Sequence, residues 1–445
     1  MKIILFLALS VSYLFASFTL EEAWMKVSQN SGSLNASSND VARAKLERNS
    51  AKSMYLPSIS INASYTHLDK PIGVDSSDIS NFMASLPLPL PFPSEIDFSK
   101  QDIFLADLQL LFPLYVGGKI DAAQDIYSAK VTESKAHHHL KEDKAFLNLV
   151  KFYYGVIVSK SLYETRLKVQ KALLLHYENA KKLQLQGQIA KVELLNAQVE
   201  LDAAKIETTK ARHKLDILKI VLASTTKSQK EPSQNLFVSL NTKTKESFKQ
   251  ETLLNSNGLK ILDAKSKQVD ALVKIKKAAW LPSLIAYGNY NLYKDDSPLM
   301  SMAPKWMAGV LLKVDILKTK DRNQEIQAAK LLHSKLQNLK EQAKEDLAIL
   351  VSKTYNEMLL YRDEYNSLSS SIALADENYK LRSLAFKEGL STSLEVVKAQ
   401  MFVASIKTKK ANAAYNYIQR VARLTVLSGD YREFFKIKDL SQEIK

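Results

Sequence analysis

No cysteine occurs in the 445 residues of the chain, which excludes a disulfide framework, a thiolate metal site, a thiol nucleophile and an N-terminal lipidated cysteine. Glycine and proline are scarce, 11 of each, so long elements with few forced turns are expected. After the first residues no apolar run approaches the roughly 20 residues of a spanning helix, so membrane contact would need strands or an amphipathic surface. Catalytic signatures are missing as well. "GGKI" at Gly117 lacks the first glycine and the Ser/Thr of a phosphate-binding loop, since Pro113 and Ile120 stand there. His137, His138 and His139 form the one histidine cluster, but consecutive helical side chains diverge by about 100°, and although His138 and Glu142 have ligand spacing, a solvated helix face is the preferred reading. Glu193 and Glu395 have no partner base nearby in sequence. The chain is therefore expected not to be an enzyme and to need no cofactor or metal.

What is present begins with "MKIILFLALSVSYLFAS", one lysine and an apolar stretch with a small-residue end, which reads as a signal peptide cleaved near Ala16. The net charge is +15, but the lysines are spread through helical stretches such as "AKKLQLQGQIAK" among Glu, Gln and Asn. That is a solvated surface and not a nucleic-acid platform.

The chain repeats itself. "YLPSISINASY" from Tyr55 returns as "WLPSLIAYGNY" from Trp280, an offset of 225, and "G…VELLNAQ" from Gly187 returns as "G…LEVVKAQ" from Gly389, an offset of 202. The first copy therefore holds 23 extra residues, which fall between Tyr65 and Pro113 as an enlarged loop. Within it "LPLPLPFP", from Leu86 to Pro93, should be extended polyproline II, and it reads as an external cap or lid in preference to a docking ligand for a proline-reading domain.

Alternation of apolar and polar residues predicts four strands, at about 56–67, 103–113, 281–293 and 305–315, in two hairpins. Ile59, Ile61, Ala63 and Tyr65 share one face, as do Phe104 to Phe112, Leu284 to Leu292 and Trp306 to Val314, with Asp107 and Gln109 opposite. Each hairpin is followed by 68 positions of helical pattern, Lys119 to Gly187 and Asp321 to Gly389, about 100 Å at 1.5 Å per residue. Phe146, Leu149, Tyr153, Val156, Tyr163 and Leu167 space out a coiled-coil seam. Glycine permits the sharp turn at each tip. Helices from about Leu20 to Met54 and Phe248 to Ala279 lead into the strands, and each ends at a proline-containing "LPS".

Strands of this length with one apolar face suit a membrane-crossing sheet, but four cannot close a barrel, so copies must share one. Aromatic residues near the strand ends fit interfacial girdles: Tyr55, Phe112, Tyr115 and Trp280 on one side, Tyr65, Tyr290, Tyr293 and Trp306 on the other. The paired "LPS" strand starts, "FPLYVGGK" after the second strand and the two "G…E…AQ" tips together resemble the TolC-type outer-membrane efflux family over nearly the whole mature chain. The resemblance implies a mostly α protein with a small transmembrane β part, a homotrimer whose twelve strands close one barrel and whose long coiled-coil hairpins form a helical barrel in the periplasm. It also implies a periplasmic adaptor docking at Gly187, Gln188, Ile189 and Ala190 and at Gly389, Leu390, Ser391 and Thr392, an inner-membrane pump, outer-membrane lipid around the strands and no nucleic acid. Glu395 takes the place of the family's first acidic constriction residue and Lys398 that of the next, so the entrance should carry mixed charge; Glu193 is expected as a tip contact. "DILKTKDRN" replaces the family's proline-glycine turn, with Asp315 and Lys320 in place of the expected residues, so a looser strand-to-helix junction is expected there.

The organisation expected is a signal peptide at 1–16, a first repeat at 17–222, a polar connection at 223–250, a second repeat at 251–429 and a short tail at 430–445. The function implied is a passive exit duct for small molecules. The same architecture serving type I protein secretion, or a soluble periplasmic coiled-coil scaffold, are the alternatives.

Overall fold

The computed structural model describes residues 17–443 except 87, 89, 90, 240 and 318. The expected signal peptide lies outside the described residues, as do three positions of the proline-rich stretch. In chain order the elements are α1 (Leu20–Asn30), α2 (Gly32–Lys52), β1 (Ser58–His67), β2 (Gly73–Asp75), α3 (Ser77–Ala84), β3 (Glu95–Asp97), β4 (Asp102–Tyr115), α4 (Lys119–Leu185) and α5 (Lys191–Thr226). There follow β5 (Phe237–Val238), α6 (Lys245–Asn255), α7 (Asn257–Lys277), β6 (Ser283–Lys294), α8 (Pro298–Met302), β7 (Trp306–Lys313), α9 (Arg322–Lys387), α10 (Ser393–Leu427), α11 (Arg432–Asp439) and β8 (Gln442–Glu443). Among the described residues no helix is long and apolar enough to cross a membrane.

The chain divides into two compact units, and every boundary between them falls inside a helix. Among the described residues one unit holds 17–41, Glu133–Asp263 and 339–443, the other Ala42–Thr132 and Ala264–Asn338. The first is helical and contains the main hydrophobic core. Phe146, Leu149, Tyr153 and Val156 of the predicted seam are buried there with Phe18, Trp24, Phe237, Tyr417 and Phe434. Edge-to-face ring pairs such as Trp24 with Phe146 and Phe237 with Phe434 fill it. The Tyr153 hydroxyl donates to the Phe18 carbonyl at 2.8 Å, and burial pushes its pKa up to about 12.

Two expectations change in this unit. The stretch 223–250 is not merely a polar connection: Phe237 and Val238 are buried in the core, and their strand β5 pairs with β8. The tail from 430 onward contains α11, whose Phe434 and Ile437 are buried in the same core. An amphipathic helix of eight residues is too short for its periodicity to stand out in sequence.

The ascending helices are each broken in two where one continuous helix was predicted. Ser31 ends α1 in an extended conformation with ψ 113, and Ser256 ends α6 with ψ 121. Each serine then caps the following helix, its Oγ accepting from the amide of Leu34 at 3.4 Å and of Leu259 at 3.5 Å. The two breaks, "NSG" and "NSN", stand 225 positions apart, so the interruption belongs to the duplicated unit.

In the second unit β1, β4, β6 and β7 form one antiparallel sheet in that order. The two hairpins are thus joined through β4 and β6. The enlarged loop carries a β2–β3 ribbon and α3, and it is tied down by Ser76 and Ser80 hydroxyls donating to the carbonyls of Pro93 at 2.6 Å and Phe92 at 2.7 Å.

Candidate functional site

Register assembles the faces of the sheet row by row. Ile61 opposes Leu108, which opposes Tyr290, which opposes Trp306; Ile59, Leu110, Gly288 and Ala308 make the next row, and Phe112, Ala286 and Val310 another. These rows lie on one apolar face running across all four strands. The opposite face reads Ser60, Gln109, Asn289 and Met307, then Asn62, Asp107 and Asn291. Two bulges adjust the expected pattern. One leaves Leu292 without a partner in β4 and brings Tyr293 opposite Ala106, so Tyr293 and not Leu292 continues the apolar face; the other brings Tyr115 opposite Leu284. An inserted residue reverses the alternation beyond it, which periodicity alone does not reveal.

No residue of these strands enters a buried hydrophobic cluster. Ile61 is 69% exposed, Trp306 67% and Leu312 63%. The outer strands, β1 and β7, each have a neighbour on one side only, and the other edge of each has no partner strand among the described residues. An apolar, uncovered sheet with two open edges is incomplete in water and in lipid alike.

On the polar face Asp107 Oδ2 accepts from the Asn62 side-chain amide at 3.2 Å and from that of Asn289 at 2.9 Å. The alternation placed Asp107 on this face, but the two asparagine partners come from other strands and only register could supply them.

Where strands pass into helices the two copies differ. After β4, Gly117 and Gly118 take positive φ, 67° and 76°, and a Cβ on Gly117 would lie 3.0 Å from the Ala278 carbonyl oxygen and the Leu281 Cβ. After β7, where a looser junction was expected, Arg322 closes it. Its guanidinium is stacked 4.6 Å from the centre of the Trp280 ring and donates to the Asp315 backbone carbonyl. Arg322 is buried. A long-range side chain thus replaces local turn chemistry.

The helical tips belong to the other unit. Gly187 at φ 69° and Gly389 at φ 75° adopt the left-handed conformation. The amides of Gln188 and Leu390 reach back to the carbonyls of Leu183 at 2.9 Å and Ala385 at 2.7 Å, which is the Schellman closure of a helix. Beyond the turn, Thr392 caps α10 in a reciprocal box with Glu395, whereas Ala190 offers α5 no side-chain cap. Glu193 and Lys398 are exposed, Gln188 and Ala190 are exposed, and Ile189 and Ser391 are half-buried.

Glu395 is therefore engaged at the tip. It accepts from the Ser391 hydroxyl at 2.6 Å and from the Thr392 amide at 3.0 Å, and Arg382 lies 3.4 Å away. The first two bonds hold its carboxyl below the usual range. Glu395 and Lys398 line a groove of about 850 Å³ with Arg382, Lys409, Leu374 and Phe402. Sequence reasoning missed Arg382, which reaches Glu395 from the preceding helix. It also missed His176, whose Nδ1 lies 2.6 Å from the Ser393 hydroxyl and so links the first repeat to the start of α10. Close by, Val169, Leu173, Leu201 and Val397 are buried together. Exposed apolar side chains crowd both tips, with Leu185 75% and Leu390 82% exposed. Among the described residues no group of three or more His, Asp or Glu is placed to hold a metal ion.

Residues 249–430 match the family model described as outer membrane efflux protein. Among curated proteins none matches the chain. Similar solved structures include the outer membrane protein VceC of Vibrio cholerae, at TM-score 0.72 and 12% identity, covering 92% of this chain and 96% of that one. The Campylobacter jejuni CmeC outer membrane channel is similar at TM-score 0.71 and 15% identity over 97% and 91% of the two chains. The open state of the Neisseria gonorrhoeae MtrE outer membrane channel is similar at TM-score 0.74 and 14% identity over 92% and 89%. The chain thus matches the outer membrane efflux protein model over residues 249–430 and shares, along nearly all its length, the fold of these solved structures.

Proposed function

We propose that the chain is one third of a passive exit duct in the outer membrane. The observation that carries this reading is the four-stranded sheet with one continuous apolar face and two open edges, β1 and β7. In lipid every strand edge must be paired, since each orphaned backbone group costs several kcal/mol. Pairing β7 of one copy with β1 of the next is a head-to-tail contact that closes into a ring. Three copies give twelve strands, the number the family resemblance implies, with apolar faces outward to lipid and polar faces inward to water.

The duct is proposed to work without chemistry of its own, as the outer member of a tripartite efflux assembly that exports small molecules. An inner-membrane pump supplies the energy. A periplasmic adaptor docks on the exposed tips, Gly187 to Ala190 and Gly389 to Thr392, where Leu390 and Leu185 offer apolar anchors. Glu395 and Lys398 line the constriction, which carries both signs of charge. Glu193, uncapped and exposed, is a tip contact.

Purification in detergent followed by native mass spectrometry should give a trimer that conducts ions after reconstitution in a planar bilayer. A monomer stable in plain buffer, with no conductance, would refute the duct and restore the scaffold alternative.

A further inference from the structure

The four strands contain five charged or titratable side chains of His, Asp or Lys: His67, Asp102, Asp107, Lys294 and Lys313. Four of them are the first or last residue of their strand, where a barrel meets headgroups and water. Asp107 alone lies in the interior, five residues past the start of β4. An ionisable group held in the middle of a membrane-spanning segment is costly and calls for a functional reason.

Hydrogen bonding does not supply that reason. Asn62 and Asn289 both donate to one carboxylate oxygen, Oδ2, and an asparagine at position 107 would accept both amides through its own oxygen. The other oxygen, Oδ1, takes no hydrogen bond from a described residue. The rows beside Asp107 on its face are Ser60, Gln109, Asn289 and Met307 on one side and Ser64, Leu105 and Lys294 on the other. The cations nearest in register are Lys294, whose Nζ donates to the Ala303 carbonyl at 2.6 Å, and Lys305, whose ammonium lies 5.6 Å from the centre of the Tyr290 ring; among the described residues neither forms an ion pair with Asp107.

Building on the duct proposed above, we infer that Asp107 is a charge-selecting residue of the barrel lumen: three copies form a ring of carboxylates that attracts small cations and cationic cargo and disfavours anions. The two asparagine amides fix each carboxylate against its strand, so the ring is held in place before any permeant arrives. Rings of acidic side chains select cations in this way in water-filled pores. The station is separate from Glu395, whose carboxylate is engaged in capping α10. Screening sets its reach, because the Debye length is about 30 Å at 0.01 M salt and about 3 Å at 1 M.

The absence of cysteine makes a direct test possible. Ser60→Cys places one thiol on the polar face, one row from Asp107, in the reconstituted full-length trimer. Its modification rate is measured with a positively and a negatively charged methanethiosulfonate of similar size. With Asp107 present the cationic reagent should react faster relative to the anionic one, after correction for their rates with a free thiol, by about threefold or more at 0.01 M salt, shrinking toward parity at 1 M. Asp107→Asn in the same background should abolish the preference, and Asp107→Glu should keep it. Equal corrected rates with and without the Asp107 carboxylate would overturn the inference while leaving the duct standing. A thiol that neither reagent reaches would show that this face is not water-filled, and both proposals would fall.

Discussion

At the residue scale, the two tips show how one side chain separates elements of the same lineage. Thr392 and Glu395 form a reciprocal cap, while the equivalent first-copy positions, Ala190 and Glu193, lack the hydroxyl. Thr392→Ala should cost about 1 kcal/mol of local stability and Ala190→Thr, three residues before Glu193, should gain a similar amount. Hydrogen exchange at the first turns of α10 and α5 would register both changes, in opposite directions. Asp143 provides a pH-dependent counterpart. Burial raises its pKa from 3.8 to about 6, against the lowering effect of Asn257, which donates to it at 3.1 Å, and of His139 and Lys260, with Glu142 adding to the rise. The folded state then binds the extra proton between these values, so this site loses stability as pH rises through about 4 to 6 and is most stable below that window. Protection of the amides around Asn257 should accordingly increase from pH 7 to pH 5 in the parent protein, and that increase should vanish in Asp143→Asn.

At the element scale, strand and tip positions were legible because each rests on a local rule. Alternation gave Ile59 to Tyr65 one face, and the glycines at 187 and 389 marked the turns. What escaped depends on contacts distant in sequence. The serine breaks sit inside good helical periodicity, and the bulge at Leu292 is visible only once β6 is laid against β4. The closure of the second strand-to-helix junction is of the same kind, since nothing near Arg322 announces a tryptophan 42 positions earlier. Arg322→Ala should therefore destabilise that junction more than a surface arginine would, by roughly 1–2 kcal/mol from the lost stacking and hydrogen bond. Arg322→Lys should recover only part of this, because an ammonium cannot stack as a plane. Limited proteolysis between residues 314 and 322 would rank the three proteins. The charged tip groups were recognisable as types, but their partnerships were not: that Ser391, Thr392 and Arg382 share Glu395 shows only in three dimensions.

At the scale of the whole molecule, the two faces of the sheet should respond oppositely to charge. Ile61→Lys puts an ammonium on the apolar face, at a cost of about 2–4 kcal/mol if that face meets the hydrocarbon core. Ser60→Lys, its neighbour on the polar face, should be tolerated. The fraction of protein recovered as detergent-stable trimer should fall sharply for the first and stay near the parent value for the second; equal losses would mean the faces are not partitioned between lipid and water. The helical unit sets a different constraint, one of timing. Phe18, at the start of the described chain, and Ile437, near its end, are buried in one core together with Phe146, Phe237 and Tyr417. Such a core has very long sequence separations and cannot close until nearly all of the polypeptide is available. A ribosome halted before Phe434 would hold a chain with its largest apolar cluster still unsealed, so removing α11 should leave long helices that form locally but never lock into a finished protomer.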